Sequence, residues 1–339
     1  MRGVEEAFRR NFQEGREVGA AVCVFEDGEE ILSLQDGFRD AARSEPWDAS
    51  TLVLVWSATK APASACALHA IHAAGLNLET TVAEFWPEFA QSGKENLTLG
   101  QVMTHRAGLF ALDDPSASLL DRESVVRAIE VQRPQIPPNA GPAYAPRVFG
   151  FLLDEIVRRL AGGESLGARW RRVFAEPLGL DFWIGLPESE HHRVATMLAP
   201  KPGPPAKADE LFIKAFADPS SPTRRAFASP AGLAAASAMN APQVRSASLP
   251  AMGGIGSARA LAKFFAMLAN GGTWQGREFL NPEILDWIAG PATQGFDPVL
   301  LREMAFAAGF TRDPVDAAGR KLRAMFGPAT SAFGHAGAG

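Results

Sequence analysis

Read by its alternation of apolar and polar positions, the chain opens with a helix and a hairpin. Val4, Phe8 and Phe12 recur at four-residue spacing among charges, the pattern of an amphipathic helix that belongs to the fold and not of a signal peptide. Two short apolar runs follow at residues 20–25 and 31–34, with Asp27-Gly28 between them. That pair tolerates the positive φ of a tight turn, so a β-hairpin is expected. Residues 51–56 form a further apolar run that stops abruptly at Ser57, and residues 63–74 are almost all small or apolar up to Gly75. A helix that is apolar on every side is a buried one, which makes this segment central.

Helical signals dominate the middle. Thr98 and Gln101 make a capping box for a short helix ending near Gly108. Phe149, Leu152, Leu153, Ile156, Val157 and Leu160 follow helical spacing, with Asp154, Glu155, Arg158 and Arg159 on the opposite, polar face and Gly162-Gly163 as the stop. Residues 198–208 are rich in Pro and Gly and read as a long surface loop. Ser257 caps a helix carrying Leu261, Phe264, Phe265 and Leu268, and Asn281-Pro282 opens another with Ile284, Leu285 and Ile288. Residues 304–310 and 332–339 read as strands. Strands at both ends with helices between predict an α/β (α+β) fold. Residues 1–60 and 245–339 form a sheet domain, and residues 61–244 an inserted, mostly helical one.

Composition narrows the function classes. A chain of 339 residues with 47% hydrophobic and 21% charged residues can bury a core without disulfides or metals. The formal net charge of −5 leaves no basic footprint, which argues against a nucleic-acid partner. No run of about 18 apolar residues occurs, so no membrane span is expected. Cys23 and Cys66 sit in apolar surroundings without a C-x-x-C pairing. Buried free thiols in a cytoplasmic protein are the expectation.

The candidate chemistry begins at Ser57-Ala58-Thr59-Lys60, the sole S-x-x-K in the sequence. Composition alone supplies about 0.4 such matches by chance, so the weight lies in context. The motif stands where an apolar strand-like run meets the buried helix. Residues three apart on a helix share a face, so Lys60 can reach the Ser57 hydroxyl. A free main-chain N–H at the helix start can polarise a substrate carbonyl. Lys60 can take the serine proton if burial or nearby positive charge lowers its pKa. The plainer reading, a surface lysine after a capping serine, fits poorly with apolar flanks on both sides. Pro62 is compatible with this helix only if the regular turns start near Thr59. Tyr144 is the one tyrosine beside 22 phenylalanines, so its hydroxyl has a task that packing does not explain. It lies in a Pro-rich loop before the helix of residues 149–160, where a phenol near an ammonium would have a lowered pKa and relay protons.

In this order, Val55-Trp56-Ser57-Ala58-Thr59-Lys60, Met103-Thr104-His105-Arg106-Ala107-Gly108-Leu109, Tyr144 with its following helix, residues 249–272 and Phe333-Gly334-His335-Ala336-Gly337 resemble the serine β-lactamase-related superfamily. The likeness is closest to its family VIII carboxylesterase branch. It implies a β-lactamase/transpeptidase-like fold, an antiparallel sheet flanked by helices with the site in the cleft between the two domains. It implies an acylated Ser57, with Lys60 and Tyr144 shuttling its proton, and leaves open which of them is the base. His335-Ala336-Gly337 would be the family's third element on a strand lining the site, and His335, Gly337 and Trp56 would border the substrate. The N–H groups of Ser57 and Ala338 would form the oxyanion hole, each worth about 3 kcal/mol in the transition state. Tyr144-Ala145-Pro146 lacks the Asn of the usual Y-x-N, and His335 replaces the Lys of K-T-G, which removes a fixed positive charge. Both changes lean towards neutral carboxylic esters. The family continues through further strands and a closing helix, so a sheet without those strands is expected here.

Competing signals are weaker. Gly163-Glu164-Ser165-Leu166-Gly167 matches the G-x-S-x-G elbow, with Asp209 or Asp297 and His335 completing a triad order, but no strand precedes Ser165. His69 and His72 share a helix face without a carboxylate or cysteine at ligand spacing, which favours structural roles and no metal. Arg169, Arg171 and Arg172 read as a solvated helix face. The expected activity is a serine hydrolase needing no metal or organic cofactor and taking a small-molecule ester. The alternatives are a β-lactamase or peptidase acting on amides, and a non-catalytic scaffold of the same fold.

Overall fold

A computed structural model describes residues 2–199, 210–233, 235–290 and 293–338. Helix α1 (Arg2–Gln13) carries the predicted stripe, with the rings of Phe8 and Phe12 5.2 Å apart, yet none of its residues is fully buried. Strands β1 (Gly19–Glu26) and β2 (Glu29–Gly37) pair antiparallel. Asp27 (φ 51) and Gly28 (φ 82) make the turn between them, the left-handed pair that matches the twist of a hairpin. Strand β3 (Val53–Leu54) then runs into a single 3₁₀ turn at Trp56–Thr59, and helix α2 (Lys60–Ala73) continues from it. Pro62 therefore falls in the first α-helical turn, where its missing N–H costs no hydrogen bond. Eleven side chains of α2 are buried, most of them Ala or Ser. Small residues on every face let neighbouring helices approach closely.

The helical segment follows with α3 (Leu99–Met103), α4 (Arg122–Val131), α5 (Val148–Leu160), α6 (Leu166–Trp170) and the single turn α7 (Glu176–Leu178). The Thr98–Gln101 capping box at α3 forms as expected. The face of α5 read as polar is not solvated, because Asp154 and Glu155 are only 3% and 6% exposed. Arg122 on α4 reaches both carboxylates, Arg158 and Arg159 reach them from the next turn, and Asp154 Oδ1 accepts the Leu166 N–H at 2.8 Å. Buried carboxylates persist only when paired this fully. Arg169 likewise departs from the solvated-face reading: it is 8% exposed and packs against Glu164 and His69.

Strand β4 (Phe182–Ile184) lies within the segment expected to be helical. After α8 (Glu210–Ala217), α9 (Pro222–Ala228) and α10 (Pro242–Ser246), strand β5 (Gly254–Gly256) pairs with both β3 and β4. The small β3-β5-β4 sheet fixes the start of α2, since Thr59 Oγ1 accepts the Gly254 N–H at 2.8 Å. A Cβ at Gly254 would lie 2.6 Å from that oxygen, so no other residue fits. Helix α11 (Ala258–Ala269), capped by Ser257, packs on β1. The short hairpin β6 (Thr273–Trp274) and β7 (Arg277–Glu278) precedes α12 (Pro282–Ala289), which Asn281 caps. Strands β8 (Thr293–Asp297), β9 (Arg302–Ala307), β10 (Phe310–Arg312) and β11 (Phe333–Gly334) form an antiparallel four-stranded sheet.

The architecture is thus the expected mixture of helices and antiparallel sheets, with two adjustments. Among the described residues the N-terminal hairpin and the β8–β11 sheet do not share a ladder. And the strand expected over residues 332–339 is only two residues long. Past Gly334 the chain leaves β10 and crosses the main chain of β3 and its 3₁₀ turn, so close that a Cβ at Gly337 would sit 2.3 Å from the Val55 carbonyl oxygen. No helix among the described residues is long and apolar enough to cross a membrane. Cys66 is buried in α2, Cys23 is half-buried on β1, and neither is in a disulfide.

Candidate active site

Three segments converge on Ser57. The first is its own 3₁₀ turn, entered through Trp56, whose φ of 48° is left-handed and costly for a tryptophan. One turn on, Lys60 projects back with its Nζ 3.3 Å from Ser57 Oγ. The Lys60 amine is sealed from solvent and donates to the carbonyls of Pro146 at 3.0 Å and Ala251 at 2.8 Å. Burial without a carboxylate partner drives its pKa well below the ordinary lysine value. Nζ thus has three oxygen neighbours, the two carbonyls and the serine hydroxyl, and the amine can take the serine proton only in its neutral form.

The second segment carries Tyr144. Its ring is 5% exposed, stacked parallel to Phe306 with centroids 6.1 Å apart, and lies under the Lys60 amine at 4.9 Å. The Ser57 side chain is near enough to the phenol to lower its pKa, and both border one cavity. The expected acidification of this phenol is overturned. Burial raises its pKa above the ordinary value and outweighs the lowering from Ser57. Tyr144 therefore stands as a protonated donor. Its main chain is held by Asp297, the last residue of β8, whose Oδ2 accepts the Tyr144 N–H at 2.7 Å. Burial raises the Asp297 carboxyl to about 6.

The third segment is residues 335–338. His335 follows β11, with its ring 6.2 Å from that of Tyr144 and its pKa pushed down to about 3, chiefly by burial and then by Lys60. It brings no fixed positive charge. Gly337 allows the main chain to pass against Val55, which sets Ala338 beside Ser57. The Ser57 amide lies in the first helical turn, where donors lack intrahelical acceptors.

Two cavities open on either side of Ser57 and Ala338. One, of about 400 Å³, includes Tyr144, Phe306, Met304, Leu300, His335 and Gly337, with Arg302 and Arg323 at its edge. The other, of about 510 Å³, is lined by Trp56, Pro146, Met252, Arg147 and Arg224. Phe216 of α8 and Phe227 of α9 border both. A larger space of about 570 Å³ between the N-terminal hairpin and α11 contains neither Ser57 nor Lys60.

The competing constellations are not assembled. Ser165 caps α6, accepting the Ala168 N–H at 3.2 Å, and follows a helix instead of a strand. Asp209 lies outside the described residues, as do residues 200–208 of the predicted loop and Gly339. His69 packs edge-on against Phe174, and His72 pairs with Asn281 at 2.7 Å. Sequence reasoning gave no role to His105 and weighed Asp297 only as an elbow partner. Both grip the Tyr144 segment. An Asp before Pro at a strand end signals a cap, but not which distant N–H it holds.

A profile of the beta-lactamase family matches residues 4–339. The esterase/beta-lactamase LipL of Mycobacterium tuberculosis is 30% identical over 341 residues, covering 99% of this chain and 76% of that protein. A penicillin-binding protein homologue from Caulobacter crescentus superposes with a TM-score of 0.84 at 34% identity, over 98% of this chain and 85% of that one. A family VIII carboxylesterase gives 0.83 at 32% identity, over 98% and 84%. A match running nearly end to end, on a fold shared with solved relatives at this identity, means that the chain belongs to the beta-lactamase family.

Proposed function

We propose that the protein is a serine carboxylesterase working through an acyl-enzyme on Ser57, with Lys60 as base and Tyr144 as acid. The observation that carries this reading is the buried Lys60 amine, held by the Pro146 and Ala251 carbonyls with its Nζ 3.3 Å from Ser57 Oγ. In the first step Oγ bonds to the ester carbonyl carbon and its proton passes to Lys60. The oxyanion rests between the Ser57 and Ala338 amides. Collapse breaks the C–O bond to the alcohol. Tyr144 protonates the leaving alkoxide and is refilled from the Lys60 ammonium, so the serine's proton ends on Tyr144 and Lys60 is neutral again. Water then attacks the acyl-enzyme and gives a proton to Lys60; the acyl C–Oγ bond breaks, Lys60 returns that proton to Oγ, and the acid leaves with Ser57 and Lys60 restored.

The ester preference is supported by the neutral His335, by Ala145-Pro146 after Tyr144 with no amide side chain, and by the name of the family VIII relative. Turnover of p-nitrophenyl butyrate against nitrocefin tests it, with the ester expected to be the better substrate. Strong nitrocefin hydrolysis without ester hydrolysis would replace this reading by the amide one. A fluorophosphonate probe is expected to label Ser57 and no other serine. Failure of the folded protein to label would favour a non-catalytic scaffold.

A further inference from the structure

Three consecutive main-chain donors around the only tyrosine are captured by acceptors outside regular secondary structure. Ala143 N–H donates to the His105 carbonyl at 2.9 Å, Tyr144 N–H to Asp297 Oδ2 at 2.7 Å, and Ala145 N–H to His105 Nδ1 at 3.2 Å. The next residue, Pro146, gives its carbonyl to Lys60. Both gripping side chains are buried, Asp297 at 0% and His105 at 4% exposure. His105 holds a left-handed φ of 57°, which is strained for a histidine and aims its ring between Tyr144 and Phe149. Asp297 Oδ1 is saturated by the N–H groups of Val299 at 2.8 Å and Leu300 at 2.9 Å, so only Oδ2 is left for Tyr144.

We propose that Asp297 and His105 are positioning residues that together clamp the main chain at residues 143–145 and thereby set the Tyr144 phenol against Ser57. The proposal rests on the catalytic reading of Tyr144 given above. The donor pattern dictates the residue types. A carboxylate offers acceptors on both sides, whereas an asparagine in the same shape would present an NH₂ group to one of the N–H donors. His105 accepts at Nδ1 only as the neutral tautomer protonated at Nε2. Its surroundings keep it neutral: burial, Lys60 and His335 all hold its pKa well below the ordinary value. The charged group facing Asp297 is Arg302, its partner across the β8–β9 ladder.

The test uses the full chain with ¹³Cζ-tyrosine, which gives one phenol resonance because Tyr144 is the sole tyrosine. Asp297→Asn is expected to lower kcat on p-nitrophenyl butyrate by about 100-fold, the cost of a misplaced catalytic group, with KM within about threefold. The resonance is expected to shift or split. His105→Asn keeps an acceptor near the Nδ1 position and is expected to retain more activity than His105→Phe, which keeps the ring and loses the acceptor. That pair decides the matter if Asp297→Asn does not fold. An unmoved resonance and rate in Asp297→Asn, or equal rates in the two His105 variants, would overturn the clamp. Tyr144→Phe at full turnover would instead remove the catalytic reading, while the resonance would still report whether the clamp exists.

Discussion

Gly337 offers a test of the oxyanion site, because an alanine there would push against the main chain that leads into Ser57. The added Cβ would fall 2.3 Å from the Val55 carbonyl oxygen, and a Cβ needs about 3.0 Å at the least. The two strands of main chain must therefore part by about 0.7 Å. A donor at about 2.9 Å from the oxyanion would then stand at about 3.6 Å, beyond hydrogen-bonding range. Losing one such donor costs about 3 kcal/mol, so kcat is expected to fall by about 100- to 1,000-fold while KM changes little. The atom in the way is main chain, so the melting temperature is expected to fall as well, and kcat is read below the variant's own melting temperature. Steady-state kinetics on p-nitrophenyl butyrate with parallel thermal melts reads both quantities. A kcat within about threefold of the parent would refute the placement of Ala338 in the oxyanion site.

Three further outcomes are expected. Tyr144→Phe keeps the ring stack on Phe306 and should lower kcat by about 100-fold or more, with an unchanged circular dichroism spectrum. The proposed mechanism needs the unprotonated Lys60 amine, so kcat/KM should fall as pH drops through the depressed Lys60 pKa, and a kcat/KM that rises on acidification would contradict this. Stability should also fall on acidification from about 6.5, because burial depresses His335 to about 3 and His69 to about 4 while the unfolded chain binds those protons earlier. Asp297, raised to about 6, works the other way between about 4 and 6 and offsets part of that loss. A urea midpoint at pH 4.5 equal to that at pH 7 would refute the balance.

Much of the architecture was legible because it is local. The Asp27-Gly28 turn, the Thr98–Gln101 box, the Ser257 and Asn281 caps and the all-apolar α2 each follow from a few adjacent residues. The S-x-x-K spacing was legible for the same reason, since it is one helical turn. What escaped depends on partners far away in the chain. Asp154 and Glu155 alternate like a solvated face, and only Arg122 and the start of α6 turn that face inward. The grip of Asp297 on Tyr144 spans 153 positions. The direction of the Tyr144 pKa shift was misjudged because it is set chiefly by burial of the phenol itself, which only the fold decides.

The aromatic wall of Phe216 and Phe227 belongs to α8 and α9, whereas the proposed nucleophile and base stand on the 3₁₀ turn and the first residue of α2. Selection of a guest molecule and rupture of its bond are thus assigned to different stretches of polypeptide. Exchanging side chains on the two outer helices would retune which esters are admitted, and the bond-breaking apparatus beneath would be left as it is.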